Sequence, residues 1–269
     1  VKPLGEADWL AVDDRLGAYL DEKDRLLAER GDEVFAAGPG TGAAQAEVLA
    51  LVVDHLLSHH ADLYRRTGNT IEVVGRRVSL DGPDPLLIAA RLVQEDLLLL
   101  RKSEAGWRLV AGSLSFPSSW SLREKMGKVL GDIHGAVPAF GAGTRNGQLI
   151  ERMLDNARPE VPMLRWNWSL YGDDRLFHPE SADPSQRRFD AGVFLRVERQ
   201  TLRKLPISGD MLFTVRIFVD PLAELEKQPE AASIATALIE QLQALDAAQL
   251  DYKGMTLERD WLIGRLQKF

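Results

Sequence analysis

Residues Glu95-Asp-Leu-Leu-Leu-Leu-Arg-Lys102 form an extended apolar run, Ser103-Glu-Ala-Gly106 turns it, and Trp107-Arg-Leu-Val-Ala-Gly-Ser-Leu-Ser-Phe116 brings the chain back. Two β-rich runs around a short glycine-containing turn predict a hairpin. The pattern then changes. Pro117 and the serines after it break the strand, and Ser121 is placed to cap a helix that carries Glu124 three residues on. In Ile133-His134-Gly135-Ala136-Val137-Pro138 the glycine and proline forbid a continued helix and leave His134 at a boundary. A second short helix is expected over residues 148–156.

Downstream, the chain returns to extended structure over residues 163–170, 192–201 and 211–219. In the first of these runs Leu164, Trp166 and Trp168 point one way and Arg165, Asn167 and Ser169 the other. Two strands, a helical insert and three strands are the order of a PAS domain, an antiparallel sheet that holds a ligand beneath helices on one face. The expected fold class is therefore α+β, with a PAS-like core over residues 95–220.

Working outward, Trp9, Val12, Leu16, Tyr19, Leu20, Leu26 and Leu27 fit an amphipathic helix, broken at most once, with Asp8 as a possible cap. Residues 43–60 repeat that pattern and carry His55, His59 and His60, read as a polar helix end; the spacing of His55 and His59 also admits a metal, without an acidic or cysteine partner to complete the set. A small hairpin is expected around Gly75, then a helix over residues 86–94. Residues 222–250 and 256–266 read as helical. The expectation is one cooperative unit over residues 1–269: a mainly helical clasp at 1–94, the core, and C-terminal helices at 221–269.

A chain of 269 residues with 45% apolar content can bury a sizeable core. A net charge of −7 without a basic block argues against nucleic-acid binding. No apolar run approaches the roughly 20 residues that span a bilayer, and the reading is of a cytoplasmic protein with no membrane partner. With no cysteine, thiolate metal ligation is excluded, and five histidines remain as nitrogen ligands. Glycine-rich nucleotide loops and a His-Glu-x-x-His motif are absent.

Several strings are more specific than the pattern around them. They are Leu92-Val-Gln-Glu-Asp-Leu97, Phe116-Pro-Ser-Ser-Trp120 with Glu124-Lys125, Ile133-His134 through Val137-Pro138, Arg165-Trp-Asn-Trp-Ser169, and Arg196-Val-Glu-Arg-Gln-Thr-Leu-Arg-Lys-Leu-Pro-Ile-Ser-Gly209. Together with Pro3-Leu4, Asp8-Trp9 and Tyr252-Lys253-Gly254, they resemble the heme-dependent oxidative N-demethylase α-subunit family along essentially the whole chain. Two positions depart from its usual pattern: Leu98 stands where a cysteine is frequent, and Gly135-Ala136 precedes Val137-Pro138. The resemblance implies a PAS-derived pocket that binds heme b and uses dioxygen to oxidise a methyl group of a secondary amine such as dimethylamine, releasing formaldehyde. It also implies a flavin-containing reductase partner and a folate-binding partner.

For heme iron, neutral imidazole is the leading axial ligand in a cysteine-free chain. His134 is the metal-ligand expectation, flanked by Ile133, Val137 and Phe140, with His178 as the alternative and a histidine bonded to a loop carbonyl as the structural reading. Arginines suit the heme propionates because a planar guanidinium bonds a carboxylate bidentately. Arg165, Arg196, Arg199 and Arg203 are the cofactor-binding candidates, Arg199 first, against cross-strand ion pairing; Arg216 lies beside them. Trp166 and Trp168 are candidates for a slot above the iron, and Asp96, Glu95 and Glu198 for the carboxylate that holds and deprotonates the amine. The alternatives are sheet core for the tryptophans and strand-edge caps for the acids. At the level of function they are a heme-binding PAS sensor or a non-catalytic ligand-binding subunit.

Overall fold

The computed structural model describes residues 1–138, 140–181, 183, 189 and 192–269. The N-terminal part contains strand β1 (Lys2–Pro3), helix α1 (Leu16–Val34), strand β2 (Phe35–Ala37) and helix α2 (Gly42–His59). The first helix starts later than the apolar spacing predicts. Residues Glu6–Asp8 form a 3-10 turn, so Asp8 lies inside a turn instead of capping α1, and the break falls at Arg30 (φ −141°, ψ 37°).

A three-stranded sheet follows, β3 (Tyr64–Thr67), β4 (Thr70–Val73) and β5 (Arg76–Ser79), and then α3 (Pro85–Ala90), which opens on proline where the missing N–H costs nothing. That helix ends before the expected residue 94 because the next side chains are held from outside. Gln94 Nε2 donates to Asp13 Oδ1 at 2.8 Å, and Glu95 Oε1 accepts from the Ala11 amide at 2.8 Å.

The expected hairpin is β6 (Asp96–Ser103) and β7 (Gly106–Ser113). The helical insert consists of α4 (Leu122–Lys125), α5 (Leu130–Ile133), a 3-10 turn at His134–Ala136 and α6 (Arg145–Asp155), the last capped by Thr144 Oγ1, which accepts from the Gly147 amide. The three later strands are β8 (Met163–Tyr171), β9 (Phe194–Lys204) and β10 (Met211–Pro221). The chain closes with α7 (Ala231–Ala244), α8 (Ala247–Lys253) and α9 (Arg259–Leu266). Asp246 and Gln249 form a capping box at the start of α8, and Gly254 ends it at φ 62°. Among the described residues no helix is long and apolar enough to cross a membrane.

The protein is thus α+β, built on an antiparallel seven-stranded sheet in the order β1-β8-β9-β10-β6-β7-β2. Both faces of its centre are covered. Leu97, Leu99, Ala111 and Leu212 share a core with α2 and α3, while Leu98, Leu100, Leu109 and Leu202 pack with the helical insert. A register shift between Leu99 and Leu100 sets Ala111 and Leu109 on opposite faces. The insert sits close to the sheet at Gly112, where a Cβ would lie 2.7 Å from Leu98 Cδ2 and 2.8 Å from Leu122 Cδ1. A third cluster joins α7–α9 to Leu170, with Trp168 and Leu195 packed against it.

Candidate functional site

Between the sheet and the insert lies a cavity of about 1000 Å³. Its walls are mostly apolar: Leu98, Leu100 and Leu109 from the hairpin, Leu202 and Phe213 from the later strands, and Ile133, Ile150 and Met153 from the insert. Polar groups enter at few points, as in ligand sites generally. They include Lys125 on α4, His134 after α5, Arg165 and Asn167 on β8, Glu198 and Gln200 on β9, and Lys253 on α8. A second cavity of about 550 Å³ adjoins the first, and His134, Leu130, Phe140 and Ile150 border both.

His134 is half-buried, and its imidazole makes no hydrogen bond among the described residues. Burial lowers its pKa, and the positive charges of Arg165 and Lys125 lower it further. Both effects favour the neutral imidazole, the form that ligates a metal. Neither the Arg165 nor the Lys125 side chain makes a hydrogen bond or ion pair among the described residues, so each remains available for an anion.

Glu198 is 7% exposed. Its Oε2 accepts from Gln200 Nε2 at 2.5 Å and from Asn167 Nδ2 at 3.3 Å, while Oε1 has no partner among the described residues. Lys253 sits nearby over the Trp168 ring, donating to the Trp168 carbonyl at 3.0 Å. Burial lowers the Lys253 pKa, with Glu198 opposing the shift.

Of the residues singled out in the sequence, His134 with its neighbours Ile133, Val137 and Phe140, and Arg165, Trp166 and Glu198, border this cavity, while Arg196, Arg199, Arg203, Asp96, Trp168 and His178 do not. Arg196 is fully buried and donates to the carbonyls of Phe116, Pro117, Leu176 and Arg175 and to Ser118 Oγ. Arg199 donates to the carbonyls of Trp9 and Asp8. Arg203 pairs with Glu6 at 2.6 Å and covers the Trp9 ring at 4.3 Å. These three arginines hold loops and the N-terminal segment instead of reaching a cofactor. Asp96 is also committed: its carboxylate accepts from the amides of Ser115 and Phe116 at 2.7 and 2.9 Å, and burial pushes it up to about 6.

Of the tryptophans only Trp166 reaches the cavity, at its rim, and Trp168 does not line it. Register pairs Arg165 with Gln200 and Asn167 with Glu198, so these four share one face of the sheet, and alternation sets Trp166 and Trp168 on the opposite face of β8. Trp166 is 51% exposed, on a strand that β1 covers only at Met163 and Leu164, and Trp168 Nε1 donates to Gln241 at 2.6 Å. His178 lies off the cavity, 3.1 Å from Asp173 Oδ1. His55, expected at a polar helix end, is a core residue with its ring 5.2 Å from that of Trp9. No group of three metal-binding side chains exists among the described residues.

Lys125, Gln200, Tyr252 and Lys253 are cavity residues that sequence reasoning did not assign to the site. Lys125 comes from α4 and Tyr252 and Lys253 from α8, helices separated in the chain by β8, β9 and β10. The strings Glu124-Lys125 and Tyr252-Lys253-Gly254, already distinctive in the sequence, were the available signal.

Fold and cavity together define an α+β protein with a largely apolar, partly open cavity, a half-buried histidine at its wall and two cations whose side chains have no partner among the described residues. The donor set fits an iron porphyrin, which presents a metal, an apolar ring and two carboxylates. Residues 1–263 match the family described as haem-dependent oxidative N-demethylase, alpha subunit-like, and the chain belongs to that family. The family is heme-dependent by description, and an alpha subunit implies further subunits.

Proposed function

We propose that this chain is the heme b-binding, amine-oxidising subunit of an oxygen-using N-demethylase, acting on a secondary amine such as dimethylamine and releasing formaldehyde. The observation that carries the reading is His134 on the insert side of the cavity, without a side-chain hydrogen bond among the described residues, with the cations Arg165 of the sheet and Lys125 of the insert lining the same cavity. In this reading His134 ligates the iron, and Arg165 and Lys125 hold the propionates. When bound, heme supplies the activation of dioxygen that the protein's own side chains cannot perform.

The remaining work falls to the chain. Glu198 Oε1 receives an N–H of the protonated amine, while Gln200 and Asn167 fix the carboxylate through Oε2. Leu202, Phe213 and Ile133 keep water from the methyl group. Overall, an N-methyl amine, dioxygen, two electrons and two protons give the demethylated amine, formaldehyde and water. The electrons come from a flavin-containing reductase partner, and a folate-binding partner accepts the one-carbon unit. The PAS-like reading is supported by pairing within the core, where the hairpin and the three later strands lie in the order β8-β9-β10-β6-β7. The single-unit reading is supported by a core cluster that runs from Trp9 to Leu212.

Titration of the purified protein with hemin tests this. A Soret band should saturate at one heme per chain and shift and weaken in His134→Ala, and dimethylamine should drive oxygen uptake with a chemical or flavin reductant. Heme uptake without amine-dependent oxygen uptake favours a sensor. No heme uptake overturns the proposal.

A further inference from the structure

Among the described residues only Val74 and Ser119 are non-glycine residues with positive φ. Val74 lies in an exposed hairpin turn, but Ser119, at φ 63°, lies on the cavity wall. An L-residue adopts this conformation at a cost and keeps it where its surroundings over-determine it, commonly at functional sites. The surroundings here are unusually heavily built. Asp96 fixes the amides of Ser115 and Phe116, Arg196 fixes the carbonyls of Phe116 and Pro117 and the hydroxyl of Ser118, and the Ser119 amide donates to the His178 carbonyl at 2.8 Å. Two fully buried charges that do not reach the cavity are thus spent on one turn.

That turn presents a hydroxyl. Ser119 Oγ lies 2.7 Å from the hydroxyl of Tyr171, which is 4% exposed and does not itself line the cavity. A glycine would take this φ freely; what serine adds is the O–H. The His178 ring packs against Tyr171 at 4.4 Å, and His178 Nε2 is 3.1 Å from Asp173, whose side chain is 37% exposed. A titratable pair in reach of solvent therefore adjoins the buried phenol.

We propose that the Ser119–Tyr171 hydroxyl pair delivers protons into the cavity during turnover, a role that rests on the N-demethylase reading. Each turnover consumes two protons as one oxygen atom leaves as water, with both electrons supplied by the reductase partner. In each transfer the Ser119 O–H bond breaks toward the acceptor in the cavity, and the Tyr171 O–H bond breaks as its proton passes to Ser119 Oγ. Tyr171 is then reprotonated from the side of His178 and Asp173.

The test uses the heme-loaded full chain with Ser119→Gly, which relieves the backbone, and Tyr171→Phe. Both variants should take up heme as the parent does. Fluoride, a heme-iron ligand that accepts hydrogen bonds, should bind about tenfold more weakly to Ser119→Gly. With dimethylamine, both variants should lose roughly a hundredfold in kcat at little changed KM and release peroxide in place of formaldehyde. Unchanged fluoride affinity in Ser119→Gly, or an unchanged formaldehyde yield per dioxygen in both variants, overturns the proposal. If the parent binds heme but shows no amine-dependent oxygen uptake, the N-demethylase reading fails, while the fluoride comparison still decides whether Ser119 donates into the cavity. If the parent takes up no heme, both fail.

Discussion

Asn167 on β8 and Glu198 on β9 are register partners, and the Asn167 side-chain amide donates to Glu198 Oε2 at 3.3 Å. Because Gln200 donates to the same oxygen, Oε1 remains for a ligand. A carboxylate so aimed should recognise a protonated amine through charge as well as geometry. Glu198→Gln keeps the shape and removes the charge, so KM for dimethylamine should rise about 10–100-fold, the worth of a hydrogen bond to a charged group. Heme uptake should not change. Oxygen-uptake kinetics and a Soret titration on the same preparation read the two quantities separately.

Arg196 and Arg165 lie on neighbouring strands but should fail in different ways. Arg196→Met leaves the carbonyls of Phe116, Pro117 and Leu176 without their buried donor. Stability should fall by about 3 kcal/mol or more, seen as a lower urea midpoint, while the folded fraction still takes up heme. Arg165→Met removes an exposed cation with no protein partner among the described residues. Its urea midpoint should not move, and its heme affinity should fall about tenfold. Equal heme affinity in Arg165→Met and the parent would remove Arg165 from the propionate site.

The contrast between these arginines explains what could be read from the sequence. Period-2 alternation gave the hairpin and the three later strands, and local turn chemistry gave the insert between them. The alternation of residues 163–170 also sorted Arg165 and Asn167 from the two tryptophans correctly. It could not say which set faced the cavity, because on β9 Arg196, Glu198, Arg199, Gln200 and Arg203 are all buried and each face has its own partners. Strands β1 and β2, two and three residues long, exist only through pairing with β8 and β7 and leave no periodic trace. Strand β3, Tyr-Arg-Arg-Thr, is too polar and too short to alternate visibly. Lys125, Tyr252 and Lys253 meet the sheet only in three dimensions.

The hairpin of β4 and β5 turns through Val74 at φ 42° and Gly75 at φ 78°. Two consecutive positive φ values suit a turn with asparagine or aspartate before glycine, whereas a β-branched residue is strained there. The Val74 side chain is exposed, so little packing is lost on replacement. Val74→Asn should stabilise the protein by about 1 kcal/mol without affecting the cavity. A thermal unfolding midpoint that does not rise would count against strain at this turn.

His55 gives the fold an acid limit. Its ring lies 5.2 Å from Trp9, both ring nitrogens lack hydrogen-bond partners among the described residues, and burial together with His59, His60 and Arg203 lowers its pKa to about 4. In the unfolded chain a histidine titrates near 6.5. Between those values the unfolded state holds a proton that the folded state refuses, so this residue's contribution falls as pH drops from about 6.5 to about 4 and is constant beyond either end. The slope approaches roughly 1.4 kcal/mol per pH unit. Asp96, raised to about 6, acts in the opposite sense over part of the same window, because there the folded state binds the proton more tightly. The total stability curve therefore mixes the two, and a difference measurement separates them. His55→Phe keeps a flat ring against Trp9 and removes both unpaired nitrogens. The stability of the parent relative to His55→Phe, from urea titrations at several pH values, should be flat above about pH 6.5 and decline below it. A difference independent of pH between 4 and 7 would mean that His55 titrates alike in both states.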